Sequence, residues 1–433
     1  MSVKSKPATG SQALGSKISD TTEGEDKGQN RPMIRWLESA DPERPFLVSE
    51  EGVLSYGEAA AAVRRRIVSE PVVLRPEITI DSALVLLAGI AGGGVVATGP
   101  GVEAPADPDL GGAALVVFTS GTAGIPKGVR LTLANLEAAA RASVEHLGHG
   151  ADDTWLLALP LHHVAGISIL VRSAWAGGAV RLLNGFDPAT FAGALHQGAT
   201  MASVVPTMLA RLLDHDPGPY TGVRSVLVGG GSIPDGLLER AAAAGLPVLP
   251  TYGMTETFGQ VATLRPGAPL SYRAHPLPGV EIRIEDDGRV AVKGPQVSPG
   301  YLGESDRSDP WLVTNDLGEV DAEGAVRILG RADTVIVTGG ENVDPSRVET
   351  ELLASSSVDE VVVVGVPDPE WGMVVGCVYA GEASPDELEA DLKARLPVFM
   401  VPKRWLRVEL IPRTPLGKPD RSVARALVAA EPL

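Results

Sequence analysis

From Ala113 onward the chain alternates short, continuous apolar runs with amphipathic stretches of helical length, and this alternation constrains the fold more than any other feature. Leu115-Val116-Val117-Phe118 has no polar face, so it suits a strand covered on both sides. Asn135–Leu147 reads as a helix, Leu156–Leu159 as the next strand, and Ile167–Ala176 as a further helix. Ala179–Leu183 and Ala202–Val205 continue as strands, separated by a helix that opens near the cap Asp187. Ser225–Val228, a helix over Asp235–Ala244 and a strand over Pro247–Pro250 complete the series. The order predicts an α/β fold with mainly parallel sheets.

After Pro278 the pattern changes. Glu281–Glu285 and Arg289–Val292 flank Asp287-Gly288, a hairpin turn signal, and Asp321–Leu329 reads as a second hairpin turning at Glu323-Gly324. A β subdomain therefore follows the α/β body. The last hundred or so residues restart as strand, helix, strand, helix over Val335–Thr338, Ser346–Ala354, Val361–Val366 and Pro385–Arg395. The expected organisation is a tail over residues 1–31, a large domain over 32–331 and a small, mobile α+β domain over 332–433. Residues 1–31 hold scarcely any large apolar side chain, so the tail is expected to be disordered, and it lacks the apolar centre of a signal peptide.

Charge and cysteine usage exclude some functions. The net charge is -17, from 37 basic and 54 acidic side chains, which repels a phosphate backbone and argues against a nucleic-acid partner. No apolar run approaches the ~18 residues that span a bilayer, so membrane insertion is not expected. The single cysteine, Cys377, cannot form an internal disulfide and suits a reducing cytoplasm; its apolar neighbours mark a buried structural thiol. Oligomeric state is left open, a homodimer included.

The strand ending at Phe118 runs into Thr119-Ser120-Gly121-Thr122-Ala123-Gly124-Ile125-Pro126-Lys127-Gly128. Glycines let backbone N–H groups turn toward an anion, the hydroxyls of Thr119, Ser120 and Thr122 can donate to phosphate, and Lys127 adds charge. The bland alternative is a flexible Gly/Ser/Thr turn. Lys127 is followed by Gly128 and Val129, so this is not the kinase-type loop ending in Gly-Lys-Ser/Thr. The segment resembles the phosphate-binding loop of the adenylate-forming superfamily, which comprises acyl-CoA synthetases, peptide-synthetase adenylation domains and luciferases.

Further motifs follow once each, in that family's order. The resemblance implies that Gly229-Gly230-Gly231 walls the adenine and acyl pockets. In Tyr252-Gly253-Met254-Thr255-Glu256-Thr257 it implies a Tyr252 adenine contact, a Thr255 phosphate contact and Glu256 on the metal side, with Thr122 as a second ligand. A hard Mg²⁺ ion beside ATP favours such oxygen donors. A carboxylate can accept from adjacent ribose hydroxyls, which suits Asp316 in Thr314-Asn315-Asp316-Leu317-Gly318-Glu319. Arg331 in Gly330-Arg331-Ala332-Asp333 would support the ribose or a phosphate, and Asp333 falls at the family's hinge. Gly339, Gly340 and Glu341 match a loop that lines the CoA channel, against the alternative of a plain hairpin tip. Lys418, in Pro412-Arg413-Thr414-Pro415-Leu416-Gly417-Lys418, matches the adenylation lysine, which stabilises charge growing between carboxylate and α-phosphate. Taken singly, most of these residues would pass as surface or turn residues.

The implied activity is an AMP-forming acid–thiol ligase: a carboxylate is adenylated by Mg·ATP, the small domain turns about Asp333, and CoA takes the acyl group. Lys418, Lys127 and Glu256 are the catalytic candidates. For the acid, Leu159-Pro160-Leu161-His162-His163-Val164-Ala165-Gly166 and the following Leu170-Val171-Arg172 resemble the aromatic-dicarboxylate ligases of menaquinone synthesis. Val205-Pro206-Thr207-Met208-Leu209 and a short stretch before the phosphate loop point the same way. His162, His163, Ser168, Arg172 and Thr207 are the acid-binding candidates. Arg172 would anchor the second carboxylate or serve a structural ion pair, and His163 would touch ligand or pack in the core. Rival readings are another aryl or medium-chain acid, a carrier-protein thiol in trans, and a nucleotide-binding regulator without catalysis.

Overall fold

A computed structural model describes residues 32–74, 77–99, 102–104, 109–119, 126–234, 236–355, 357–413 and 419–430. Within them, the strands Pro45–Ser49, Ala179–Leu182, Thr154–Leu157, Met201–Val204, Ser225–Val228 and Val248–Met254 lie in parallel, side by side, in one sheet. Antiparallel strands extend it at both edges, Gly52–Ser55 at one and Gly259–Thr263 then His275–Pro276 at the other. Met201–Val204 and Ser225–Val228 are buried at every residue, as the continuous apolar runs require of strands covered on both faces.

A second sheet orders Gly300–Tyr301, Lys127–Leu131, Leu115–Thr119, Val95–Ala97 and Val72–Leu74. The last three run parallel; Lys127–Leu131 returns antiparallel to Leu115–Thr119. One apolar core draws on both sheets and on the helices Leu133–Leu147 and Val164–Ala176, which pack on each other. Both helices begin before the sequence reading places them. Thr132 and Asn135 form a reciprocal capping box that starts the first at Leu133. The second starts at Val164, with His163 at the cap position making no side-chain cap. Asp187 caps Pro188–His196 through a 2.8 Å bond from the Thr190 N–H.

The β subdomain is a four-stranded antiparallel sheet over Glu281–Ile284, Arg289–Lys293, Leu312–Val320 and Val326–Arg331. Gly288 turns the first hairpin at a φ of 81°. The second hairpin is wider than Asp321–Leu329: Asp321 belongs to the turn, and the paired strand precedes it. Its polar residues, Thr314, Asn315, Asp316 and Glu319, conceal the strand from a reading based on apolar alternation.

The smaller C-terminal domain has its own sheet, of Glu341–Val343, Ile336–Thr338, Gly372–Gly381, Val358–Asp368 and Arg404–Arg407. Helices Pro345–Leu353, Pro385–Arg395 and Arg421–Ala429 accompany it. Its two apolar clusters contain no buried residue before Ile336. Cys377 is fully buried there, and burial pushes its thiol well above the ordinary range. Among the described residues no helix is long and apolar enough to cross a membrane.

Candidate active site

The long strand Val248–Met254 runs past Pro250, where the sequence reading ends it, and carries Tyr252, Gly253 and Met254 beyond its parallel pairing with Ser225–Val228. Thr255–Thr257 then makes a single tight turn, and Gly259–Thr263 returns antiparallel. Phe258 completes the reversal at a φ of 51°, a strained conformation for a bulky side chain. Gly253 has no alternative: a Cβ there would lie 1.9 Å from the Gly259 carbonyl oxygen. Gly229 is likewise occupied by its neighbour, since an added Cβ would meet the Thr251 carbonyl oxygen at 2.6 Å. Gly230 turns at a φ of 80°, and Gly231 follows it.

At the phosphate end, Thr119 and Lys127 face each other across the two strands that carry the Gly-rich segment, and the Thr119 hydroxyl lies 3.5 Å from the Lys127 carbonyl. Ser120, Gly121 and Thr122 lie outside the described residues. The Lys127 ammonium stands 5.0 Å from the centre of the Tyr301 ring and 4.0 Å from a Glu304 carboxylate oxygen. Tyr301 donates its hydroxyl to Glu256 Oε1 at 2.9 Å. Burial, then the Glu256 charge, raises the Tyr301 pKa, so it stays a donor. Tyr301 escaped the sequence reading because its partners lie far along the chain, on other strands. The Glu256 carbonyl accepts from the Ser298 N–H at 2.7 Å, which pins the turn beneath Thr255.

At the ribose end, Tyr252 donates to Asp316 Oδ2 at 2.7 Å, and Arg331 Nη1 reaches Asp316 Oδ1 at 3.2 Å. Arg331 also grips Asp333 with Nε and Nη2, at 2.9 and 2.8 Å. Asp316 and Arg331 are direct cross-strand partners, which explains how a turn-like motif and a distant arginine come together. Burial, then the Asp316 charge, raises the Tyr252 pKa, while the Asp333 hydrogen bonds raise that of Arg331.

Among the acid-binding candidates, Arg172 is buried on the helix Val164–Ala176. Nε donates to the Ser168 carbonyl at 3.0 Å, Nη2 to the Ser168 hydroxyl at 2.6 Å, and Nη1 to Gln260 Oε1 at 2.8 Å. The guanidinium also lies 4.9 Å from the centre of the Trp155 ring. The structural ion pair open to this arginine is absent: no carboxylate among the described residues lies within ion-pair distance of it. Burial lowers its pKa to about 9, so it keeps its charge at neutral pH. His162 and His163 have ring centres 4.2 Å apart. Burial lowers the His162 pKa and leaves its Nδ1 without a hydrogen-bond partner among the described residues. Thr207 is exposed at the start of the helix Pro206–His215.

On the smaller domain, Gly339 and Gly340 form the two-residue turn between Thr338 and Glu341, at φ 56° and 89°. A Cβ on Gly339 would reach the Trp371 ring at 2.7 Å, and Glu341 is exposed. The two domains touch where Ser232 donates to Asp344 Oδ2 at 2.9 Å and Thr350 donates to the Ser232 carbonyl at 3.2 Å. Lys418 lies outside the described residues. Among the described residues no three His, Cys, Asp or Glu side chains gather as a metal cage. A Mg²⁺ ion that travels with a nucleotide needs only one or two carboxylates beside the phosphates, and Glu256 fits that demand.

A parallel sheet with a glycine-rich turn and a tyrosine–carboxylate–arginine set at its carboxyl ends defines a nucleotide-using α/β enzyme. The model of the AMP-binding enzyme family matches residues 53–302 and that of its C-terminal domain residues 347–418; the chain belongs to this family. Its relatives include a 2-succinylbenzoate–CoA ligase of Listeria monocytogenes serotype 4b (strain F2365), 39% identical over 72% of this chain and 70% of the relative. A second, from Bacillus thuringiensis subsp. konkukian (strain 97-27), is 37% identical over 77% of this chain and 74% of the relative. Among solved structures, the o-succinylbenzoate CoA synthetase of Bacillus subtilis in complex with its acyl-adenylate intermediate superposes with a TM-score of 0.76 at 28% identity, covering 90% of this chain and 97% of that one. The ATP-bound MatB of Rhodopseudomonas palustris gives the same score at 25% identity, covering 93% and 99%. The enzyme class expected from the ordered motifs, an AMP-forming acid–thiol ligase, is the class of these named CoA ligases.

Proposed function

We propose that this chain activates 2-succinylbenzoate with ATP and transfers the acyl group to CoA. The observation that carries the choice of acid is Arg172, a buried guanidinium whose hydrogen-bond partners among the described residues are all neutral. A dicarboxylate reacts at one end and needs a cationic anchor at the other, and Arg172 supplies that charge. His162, His163, Ser168 and Thr207 belong to the acid-binding wall in this reading.

In the first step an oxygen of the reacting carboxylate attacks the α-phosphorus of ATP, and the bond to the pyrophosphate oxygen breaks. Tyr252 offers its ring face to adenine, beside the glycines 229–231. Asp316 accepts from the ribose hydroxyls, with Arg331 holding it in place. Thr119, Ser120, Gly121, Thr122, Thr255 and Lys127 take the phosphates. Glu256 and Thr122 would hold Mg²⁺, which neutralises phosphate charge. Lys418 bridges the carboxylate and the α-phosphate as negative charge builds there. In the second step the CoA sulfur attacks the acyl carbon, its proton is lost, and AMP leaves. For that step the domain over 332–433 turns on the domain over 32–331 at Asp333, bringing Gly339, Gly340 and Glu341 toward the thiol. A cytoplasmic location belongs to the same reading.

The test is an acid panel with ATP and CoA, followed by pyrophosphate release and thioester formation. Turnover with 2-succinylbenzoate well above simple benzoates and medium-chain acids is expected. No turnover with it, beside good turnover with simple benzoates, overturns the assignment. Acyl-adenylate that forms but transfers only to a carrier-protein thiol overturns the CoA half.

A further inference from the structure

We propose that Gln260 is a positioning residue for the acid: as a neutral amide it aims the Arg172 guanidinium while leaving its charge for the substrate. This rests on the reading that the acid carries a second anionic group.

The orientation of the amide follows from its partners. Gln260 Oε1 accepts from Arg172 Nη1 at 2.8 Å and from the Ser143 hydroxyl at 2.7 Å. Both lone pairs of the carbonyl are thereby used. Gln260 Nε2 donates to the Thr263 hydroxyl at 2.9 Å, and Thr263 is itself 2.8 Å from the Thr251 hydroxyl. Flipping the amide would put its N–H groups against a guanidinium, which has no acceptor, so only this orientation fits. Gln260, Ser143 and Thr263 are all buried.

Arg172 is then held on three sides. Ser168 takes two of its five N–H groups, Gln260 takes one, and the Trp155 ring covers a face. One N–H on each terminal nitrogen remains without an acceptor among the described residues, which leaves the guanidinium with donors to spare for a carboxylate. A glutamate in place of Gln260 would fit the same space and the same acceptor geometry. It would, however, give the guanidinium an ion pair of its own and cancel the charge. The choice of amide over acid is therefore a choice about substrate charge.

Gln260 also joins the two halves of the site. It is the cross-strand partner of Gly253, in the middle of Tyr252-Gly253-Met254-Thr255-Glu256-Thr257. A Cβ on the neighbouring Gly259 would stand 3.9 Å from the Ser168 hydroxyl. One backbone turn thus fixes the distance from the nucleotide motif to the guanidinium, which sets how long an acid fits between them.

The test uses the full chain with ATP and two acids: 2-succinylbenzoate and 4-oxo-4-phenylbutanoate, which has the same reacting arm and lacks the ring carboxylate. The readout is the ratio of their kcat/KM values in pyrophosphate release. Gln260→Glu is expected to lower that ratio by roughly 10- to 100-fold, mainly through the KM of the dianion, as for loss of a hydrogen bond to a charged group. Gln260→Met keeps the charge and loses the aim, so its ratio falls by less. Unchanged ratios, or equal losses with both acids, overturn the inference and leave Gln260 a structural residue. If the native protein ignores 2-succinylbenzoate yet favours another dianionic aryl acid, and Gln260→Glu removes that preference, the assigned substrate fails and the inference stands. A native protein that favours no dianionic acid overturns both.

Discussion

His149 sits three per cent exposed at the end of the helix Leu133–Leu147, with both ring nitrogens unpartnered among the described residues. Burial lowers its pKa from 6.5 to about 4, and the nearby charges of Arg172 and Arg224 oppose protonation while Asp153 favours it. A base whose folded pKa is depressed contributes stability above its unfolded pKa and loses it as pH falls through the folded value. Between pH 6.5 and about 4 the protein should lose up to about 3 kcal/mol from this group. His149→Leu should lack that component in urea melts across the same window; parallel pH slopes for the two proteins would exclude it. Lys418 carries the other prediction at this scale. Lys418→Ala should abolish acid-dependent pyrophosphate release and leave thioester formation from supplied acyl-AMP largely intact, measured as separate half-reactions. Equal loss of both counts against its role. Tyr252, Glu256, Asp316 and Arg331 could be singled out as candidates in the sequence because each sits in a local pattern of glycine, hydroxyl and charge. Tyr301 and Gln260 could not, because their hydrogen-bond partners lie far along the chain, and His149 could not, because its burial comes from tertiary packing.

Among the elements, the helix Arg421–Ala429 follows the Pro412–Lys418 motif in the sequence, so its anchorage bears on the lysine proposed for adenylation. Arg421 joins both oxygens of Glu349, at 2.6 and 2.9 Å, and its Nη1 also donates to the Val363 carbonyl. The Val363 N–H donates back to Glu349 at 2.7 Å. Burial raises the Glu349 pKa despite the arginine, which marks the cost of keeping this carboxylate charged in the domain core. Arg421→Met should cost about 2 kcal/mol, below the usual figure for a broken buried pair because the arginine is about one-third exposed. Denaturant melts would measure it, and a change under about 0.5 kcal/mol, the range of an ordinary surface substitution, would remove the anchor from consideration. The helices capped by Asp187 and by Ser384 were read closest to their true starts. The strand Leu312–Val320 went unseen because its side chains serve the site and the solvent as well as the core.

At the scale of the whole molecule, the two domains have separate apolar clusters, and Ser232 with Asp344 is a polar contact between them. Asp344 both caps the helix Pro345–Leu353 and accepts from Ser232. Calorimetry should therefore resolve two transitions, and Asp344→Ala should lower the one belonging to the smaller domain by about 1 kcal/mol. A single cooperative transition would mean that the domains stabilise each other far more than this contact implies. Sequence alone determined the α/β class, the order of the motifs and the enzyme class they imply, since periodicity, turn residues and short motifs act over a few neighbours. The neutral hydrogen-bond partners of Arg172 among the described residues, the bond from Tyr301 to Glu256 and the meeting of Asp316 with Arg331 were decided only in the tertiary structure. The physical reason is that a buried charge is defined by whatever packs around it, and those groups come from strands and helices that meet only when the sheets close.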